Sequence, residues 1–364
     1  MSLRERLIAA VAAGGPISVA HYMTACLHDP EWGYYATRPN LGGDGDFITA
    51  PHVSQMFGEL LGLWAAEVWA RLGRPRLVRL VELGPGDGTM MADALRAAKA
   101  APGFLAAGEV WLVETSAPLR AAQEAAMAGT AVRWVESLVA VPTDAPLILL
   151  ANEFLDCLPI RQAVSTEKGW MERRVAVDAD GRLEFAFLPS EAGEVARGPC
   201  LRRDEGGAPP RGSVLEWSDA LTAFGQAIGD LIARAGGAAL FIDYGRVAPG
   251  LGDTLQALRN HRKESPLAHP GEADLTAHVD FPAFLGAARQ AGALISPIRS
   301  QGDLLRALGA EVRAAALARA RPDKADLIGR QLARLIAPDQ MGDLFKAACV
   351  HSPGLAAPGF EARP

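Results

Sequence analysis

Residues 147–159, LILLANEFLDCLP, run as an apolar stretch and then deliver Asn152, Glu153 and, three residues on, Asp156. A strand destined for a buried sheet is an odd place to end in two acids and an amide unless they serve a ligand. One carboxylate can orient two N–H groups of a cation bidentately and concentrate electron density on an attacking nitrogen, while a second acceptor takes the proton. Another cluster, Glu82-Leu83-Gly84-Pro85-Gly86-Asp87-Gly88-Thr89, follows an apolar run directly. Glycines at alternate positions keep Cβ atoms out of a tight turn, so the backbone can approach a ligand against the N-terminus of the next helix. A dinucleotide fingerprint needs GxGxxG; here the third glycine comes one residue early, with Thr89 in its place, which weakens a nicotinamide reading.

These residues must be positioned by regular elements. Short runs rich in β-branched or aliphatic residues at 77–84, 109–115, 131–137, 147–153 and 238–245 are too short for helices and read as strands. Helical stretches over about 89–100, 117–127 and 218–235 lie between them. Such alternation predicts an α/β fold with a doubly wound parallel sheet, whose ligands gather at the carboxyl ends of the strands. Segment 160–188 alternates polar and apolar residues with a turn at Asp180-Gly181, as an inserted hairpin or meander would, and 189–212, rich in Gly, Pro and charge, reads as a loose connection. The expected division is a helical cap and lid over 1–70, a core over 71–160 and 213–300, an insert over 161–212 and a C-terminal cap over 301–364.

With 364 residues, 49% hydrophobic and 21% charged, the chain can bury a large core. A formal charge of −6 provides no broad basic footprint, so the expected partner is a small molecule or a protein and no nucleic acid. The cysteines, Cys26, Cys157, Cys200 and Cys349, include no CxxC pair, which fits a reducing compartment. The start, MSLRERLIAAVAAGGPIS, reads as a first helix, and its lack of transit-peptide character favours a bacterial cytoplasm over a mitochondrial matrix. No stretch reaches the roughly 18 apolar residues of a spanning helix. His261, His269 and His278 with Asp274 lack metal-ligand spacing, and no metal is expected.

The turn Glu82-x-Gly84-x-Gly86-x-Gly88 resembles the E-x-G-x-G-x-G turn of S-adenosylmethionine (SAM) methyltransferases, whose glycines pack on the methionyl part of the cofactor. Glu114, closing the run VWLVE, can accept hydrogen bonds from both ribose hydroxyls. Glu136, Ser137 and Leu138 follow the third strand, where an adenine wall belongs, though a plain loop reads equally well. With SAM so placed, Asn152, Glu153 and Asp156 should line the acceptor pocket; capping of a following turn is the competing role for the two acids. No Pro-Pro follows Asn152, unlike the Asn/Asp-Pro-Pro-Tyr of many SAM enzymes that methylate planar nitrogens, which disfavours a base as acceptor. A glutamate suits guanidinium, whose deprotonation at neutral pH costs about 7 kcal/mol.

The set GDFITAPHVSQMFGELLGLW (45–64), VELGPGDGTMMAD (81–93), ANEFLDCLPIRQ (151–162), FIDYG (241–245), and GDTLQALRNH with PGEADLTAHVDF (252–281) resembles the MidA family, which includes the mitochondrial complex I assembly methyltransferase. The likeness runs from about residue 15 to 320. It implies a class I SAM-dependent methyltransferase fold with an N-terminal cap and inserted elements on the substrate side. Gly84, Gly86, Gly88 and Glu114 would hold SAM, and Gly45-Asp46-Phe47 would fold over it. It further implies a protein substrate: an arginine of a complex I core subunit, dimethylated symmetrically. By analogy with the Thr-His loop of protein arginine methyltransferases, His278 would relay a proton or hold an acid in place. His52 stands where an acidic residue is common in the family. A small-molecule methyltransferase and an assembly factor without catalysis are the alternatives.

Overall fold

The five apolar runs become five parallel strands, Val78–Leu83, Gly108–Val113, Val132–Val135, Leu147–Asn152 and Gly237–Arg246. The computed structural model describes residues 1–37, 49–189 and 209–361. It divides into two compact units, one of Met1–Pro39, Leu155–Phe224 and Arg246–Ala283, the other of Asn40–Phe154, Gly225–Gly245 and Phe284–Pro364.

The second unit holds the parallel sheet. Across it the strands run Val132–Val135, Gly108–Val113, Val78–Leu83, Leu147–Asn152, Gly237–Arg246, so the strand carrying the glycine turn is central. Val78–Leu83 is buried at every position, as a parallel strand covered on both faces must be. Helices Gln55–Arg71 and Thr89–Ala98 press together through glycines: a Cβ on Gly62 would lie 2.2 Å from Ala94 O, and one on Gly58 2.7 Å from Asp93 Cβ. Phe57, Leu60, Trp64, Met91, Leu80, Ile148 and Leu150 form the core between these helices and the sheet. Glu59 is buried there and anchored by Arg313, whose Nε and Nη2 donate at 2.7 and 2.9 Å, and by Arg96 at 3.1 Å.

Two placements differ from the sequence expectation. Phe345–His351 belongs to the main sheet, antiparallel beside Gly237–Arg246 and flanked by Leu294–Ile295 and Arg299–Ser300, whereas 301–364 was expected as a separate cap of helices and strands. Its sequence FKAACVH has a lysine at its second position and relies on small residues, so it lacks the run of large aliphatics that marks the other strands. Helix Gln55–Arg71, assigned to the N-terminal cap, packs into the sheet unit.

The first unit is built on the expected meander. Arg161–Thr166, Gly169–Val177 and Leu183–Pro189 pair antiparallel in succession, joined by Ile17–Ser18 and Val214–Trp217. Asp178 shapes the turn at 178–182 by accepting from the backbone N–H of Asp180 and Arg182 at 2.9 and 2.7 Å. Gln256–Arg259 pairs with Arg262–Glu264 and Asp274–Thr276 in a separate three-stranded sheet. Helix Leu3–Gly14 opens the unit with a capping box of Ser2 and Glu5.

Candidate active site

The central strand ends at Leu83, and the chain then turns through Gly84, Gly86 and Gly88 with φ of 58, 54 and 86°. Only glycine adopts such values without strain. Gly88 caps helix Thr89–Ala98, and its N–H closes the turn on Pro85 O at 2.8 Å. A Cβ on Gly84 would sit 3.1 Å from Phe154 Cδ2, and one on Gly88 3.1 Å from Gln123 Cα; one on Gly86 would meet nothing within 4 Å. Gly86 thus faces open space beside a helix N-terminus, where backbone N–H groups favour an anionic group.

Asp87 fastens this turn. Its Oδ1 accepts from Thr89 N at 3.0 Å and its Oδ2 lies 3.0 Å from His52 Nε2, whose Nδ1 is 2.7 Å from Thr49 Oγ1. Burial pushes the Asp87 carboxyl up, but the bonds from His52 and Thr89 outweigh it and hold the group below its ordinary value. Glu82, one residue before the strand end, is 2% exposed, and burial, reinforced by Asp87, pushes its carboxyl up to about 8. Its Oε2 is buried with no hydrogen-bond partner.

Glu114 follows strand Gly108–Val113 directly and is also buried. Its Oε1 accepts from Ser116 N at 2.8 Å and its Oε2 from Gln123 Nε2 at 3.2 Å. Burial raises this carboxyl, and those bonds offset part of the rise. A carboxylate offers about four acceptor sites, more than these donors fill, so capacity for a further donor remains. These features fit SAM: an orphaned carboxylate oxygen on Glu82, open space at Gly86, and a carboxylate at the second strand end for a ribose diol. Ser137 is exposed and its hydroxyl accepts from Val139 N at 3.4 Å in the turn Leu138–Ala140. Gly45, Asp46 and Phe47 lie outside the described residues.

The strand Leu147–Asn152 ends in a local strain. Glu153 has φ 51°, a left-handed backbone that non-glycine residues rarely adopt and that persists only where surroundings hold it. Its N–H donates to Ile242 O at 2.9 Å, and the next N–H, of Phe154, donates to Asp243 Oδ2 at 3.1 Å. Asp243 is 1% exposed and also accepts from Tyr244 N at 2.8 Å, so an acid on the neighbouring strand pins the turn. Asn152 Nδ2 donates to Glu153 Oε1 at 2.9 Å, while Asn152 Oδ1 is buried without a partner. The amide thereby orients the carboxylate.

Asp156 and His278 belong to the other unit. Ala277 N donates to Asp156 O at 3.0 Å, which joins the two segments. His278 is exposed, and its backbone N–H donates to Thr254 Oγ1 at 2.9 Å. The Thr254 hydroxyl donates to Glu216 Oε2 at 2.6 Å, and Glu216 Oε1 accepts from Gln162 Nε2 at 2.6 Å and Thr254 N at 2.9 Å. Asp156, His278, Glu216, Arg246 and Asp280 line a cavity of about 20 Å³, room for about one water. Among the described residues no group of three or more His, Cys, Asp or Glu side chains could hold a metal ion, and no helix is long and apolar enough to cross a membrane.

Three features with structural roles here escaped the sequence reading. Asp243 had a signal, an acid closing an apolar strand as Glu153 does; Gln123 and the His52–Asp87 contact had none in local spacing.

The strand order, with an antiparallel strand beside the fifth parallel one, and the glycine turn on the central strand define a class I SAM-dependent methyltransferase core. Residues 60–297 match the family described as "Putative S-adenosyl-L-methionine-dependent methyltransferase", and the chain belongs to that MidA-like family of SAM-dependent enzymes. It is 34% identical over 372 residues to "Protein arginine methyltransferase NDUFAF7, mitochondrial" of Danio rerio, covering 95% of this chain and 86% of that protein. Against the "Protein arginine methyltransferase NDUFAF7 homolog, mitochondrial" of Drosophila melanogaster it is 34% identical over 391 residues, covering 100% and 87%. A crystal structure from Burkholderia thailandensis bound to S-adenosyl-homocysteine (SAH) is similar with a TM-score of 0.83 at 30% identity, over 99% of this chain and 94% of that one.

Proposed function

We propose that this methyltransferase modifies the guanidinium of a protein arginine, and that its substrate is a core subunit of respiratory complex I. The observation that carries the reading is Glu153, a carboxylate at the carboxyl end of the fourth parallel strand, held in a strained backbone and aligned by the Asn152 amide at 2.9 Å. A planar carboxylate presents two acceptors to two N–H groups of a guanidinium, and its charge favours that cation over a neutral base. The arginine methyltransferase names of the relatives support the same acceptor.

SAM bound at the glycine turn supplies an electrophilic methyl on a sulfonium. The protein's own part is to grip and deprotonate the acceptor. Glu82, Gly84, Gly86, Gly88 and Glu114 hold the cofactor, with Ser137 at the adenine. Glu153 orients the acceptor nitrogen, and Asn152 keeps Glu153 aligned. Asp156 and His278 keep the roles expected of them from the sequence, an acceptor for the proton that the nitrogen gives up and a relay or support for that acid. The complex I subunit and symmetric dimethylation follow from the family resemblance.

The test is transfer of labelled methyl groups from SAM into proteins of a lysate lacking this gene, comparing wild type with Glu153→Gln and hydrolysing labelled bands for methylarginine. We expect label on arginine of a complex I subunit, lost by at least about 100-fold in the variant, with SAH affinity within a few-fold of wild type. A variant with full activity removes Glu153 from catalysis. Label confined to small molecules overturns the protein acceptor.

A further inference from the structure

A neutral amide buried beside the cofactor turn has three partners in three different segments. Gln123, on helix Ala117–Ala126, is 0% exposed. Its Nε2 donates to Gly86 O at 2.7 Å and to Glu114 Oε2 at 3.2 Å, and its Oε1 accepts from Trp134 Nε1 at 2.9 Å. Three of its four hydrogen-bonding positions are therefore used, and both N–H groups go to parts of the cofactor cradle. The helix also presses on the turn, since a Cβ on Gly88 would lie 3.1 Å from the Gln123 Cα.

We propose that Gln123 is a positioning residue of the SAM site, setting the spacing between the glycine turn and the Glu114 carboxylate and keeping that carboxylate in its acceptor form. The inference rests on Gly86 and Glu114 being the cofactor cradle. A side chain in this place must donate twice on one nitrogen and accept on an oxygen across from it. Glutamine meets all three demands. A glutamate would lack both donors, and a methionine of similar length would lack every polar partner. Hydrogen bonds donated to a carboxylate favour its charged form, which is the form that accepts from two ribose hydroxyls. Burial alone pushes the Glu114 carboxyl the other way, and the Gln123 donor opposes it.

The experiment measures SAH binding by calorimetry from pH 5.5 to 8.5 for wild type, Gln123→Met, Gln123→Glu and Glu114→Gln, with thermal unfolding of each. We expect Gln123→Met to weaken binding about tenfold or more and to shift Trp134 fluorescence, because the indole N–H loses its acceptor. Gln123→Glu carries the sharper readout. At low pH the introduced carboxyl is protonated and donates to Glu114; as pH rises the two acids are forced to share or lose that proton. The ratio of variant to wild-type Kd should rise by about tenfold across the range, a trend that loss of packing would not produce. If Glu114→Gln weakens binding while both Gln123 variants stay within about twofold of wild type at every pH, or lose only thermal stability, the proposal is overturned and the cradle stands. If Glu114→Gln leaves affinity unchanged, the cradle assignment fails and takes the proposal with it. Should Gln123→Met not fold, the pH trend of Gln123→Glu decides alone.

Discussion

Glu82 and Glu216 are carboxylates of nearly equal burial, 2% and 3% exposed, and both sit on strands. Their surroundings are opposite. Glu216, in the unit built on the meander, accepts from Gln162 Nε2, Thr254 N and Thr254 Oγ1, and through Thr254 it fixes the backbone N–H of His278. Glu82, beside the glycine turn, has a buried oxygen with no partner and a carboxyl pushed up to about 8 by burial. A saturated buried acid works as scaffold, because removing it strands its donors; an unsaturated one marks a place where the fold tolerates a cost that a ligand can relieve. Ser116 Oγ and Asn152 Oδ1, both buried without partners in the sheet unit, extend the pattern along the carboxyl ends of the strands.

The strongest way to break this contrast is at Gly86. In Gly86→Val the side chain enters the space where a Cβ meets nothing within 4 Å, and a β-branched residue is forced to φ 54°. If that space belongs to the cofactor, SAH affinity should fall by at least about 100-fold in calorimetry, well beyond the 1–2 kcal/mol or so of backbone strain. Unchanged affinity would mean the open space at the turn is not ligand space, and the reading of Glu82 would lose its basis.

The scaffold half is tested by Glu216→Ala. Three donors lose their acceptor at once, and the expected cost is about 3 kcal/mol, read as a lower denaturant midpoint with an unchanged slope. Glu216→Gln should cost less, since an amide oxygen still accepts from Thr254. Equal losses for the two substitutions would point to the carboxylate's charge and second acceptor oxygen and not to packing, since glutamine keeps the side chain's shape.

Much of the sheet unit could be read from the chain alone. Parallel strands covered on both faces need unbroken apolar runs, and the glycine turn is chemistry written at one local spacing. What escaped was long-range. Phe345–His351 joins the sheet through small residues that its neighbours cover, and Asp243 and Gln123 act on segments 89 and 37 residues away. No local pattern announces such contacts. Glu153 and Asp156 look like one tip of one strand in the sequence, yet the division between the two units falls between Phe154 and Leu155. The acids were named as candidates from type and position; their separate supports, Asn152 for one and the Ala277 N–H for the other, required the fold.

The subtlest difference between the two acids should appear as a pH dependence of stability. A carboxyl whose folded value lies near 8 binds a proton more tightly in the folded than in the unfolded chain, so its contribution makes stability fall as pH rises from about 4.5 toward 8. Asp87 and Glu59, held below their ordinary values, act elsewhere: their stabilisation is complete above about 4.5 and is lost only as pH falls further. His28, lowered by burial, costs stability as pH drops below 6.5 and so opposes the Glu82 slope over part of the range. Subtraction isolates Glu82. In Glu82→Gln the neutral amide mimics the protonated acid, so the two proteins should unfold alike near pH 5, and the variant should become the more stable by a few kcal/mol, as an order of magnitude, near pH 8. Saturating SAH should narrow that gap, because its ammonium group can donate to the buried Glu82 Oε2 that has no hydrogen-bond partner in the protein. Parallel unfolding curves from pH 5 to 8 would mean that Glu82 keeps an ordinary carboxyl, and the contrast with Glu216 would then lie in packing alone.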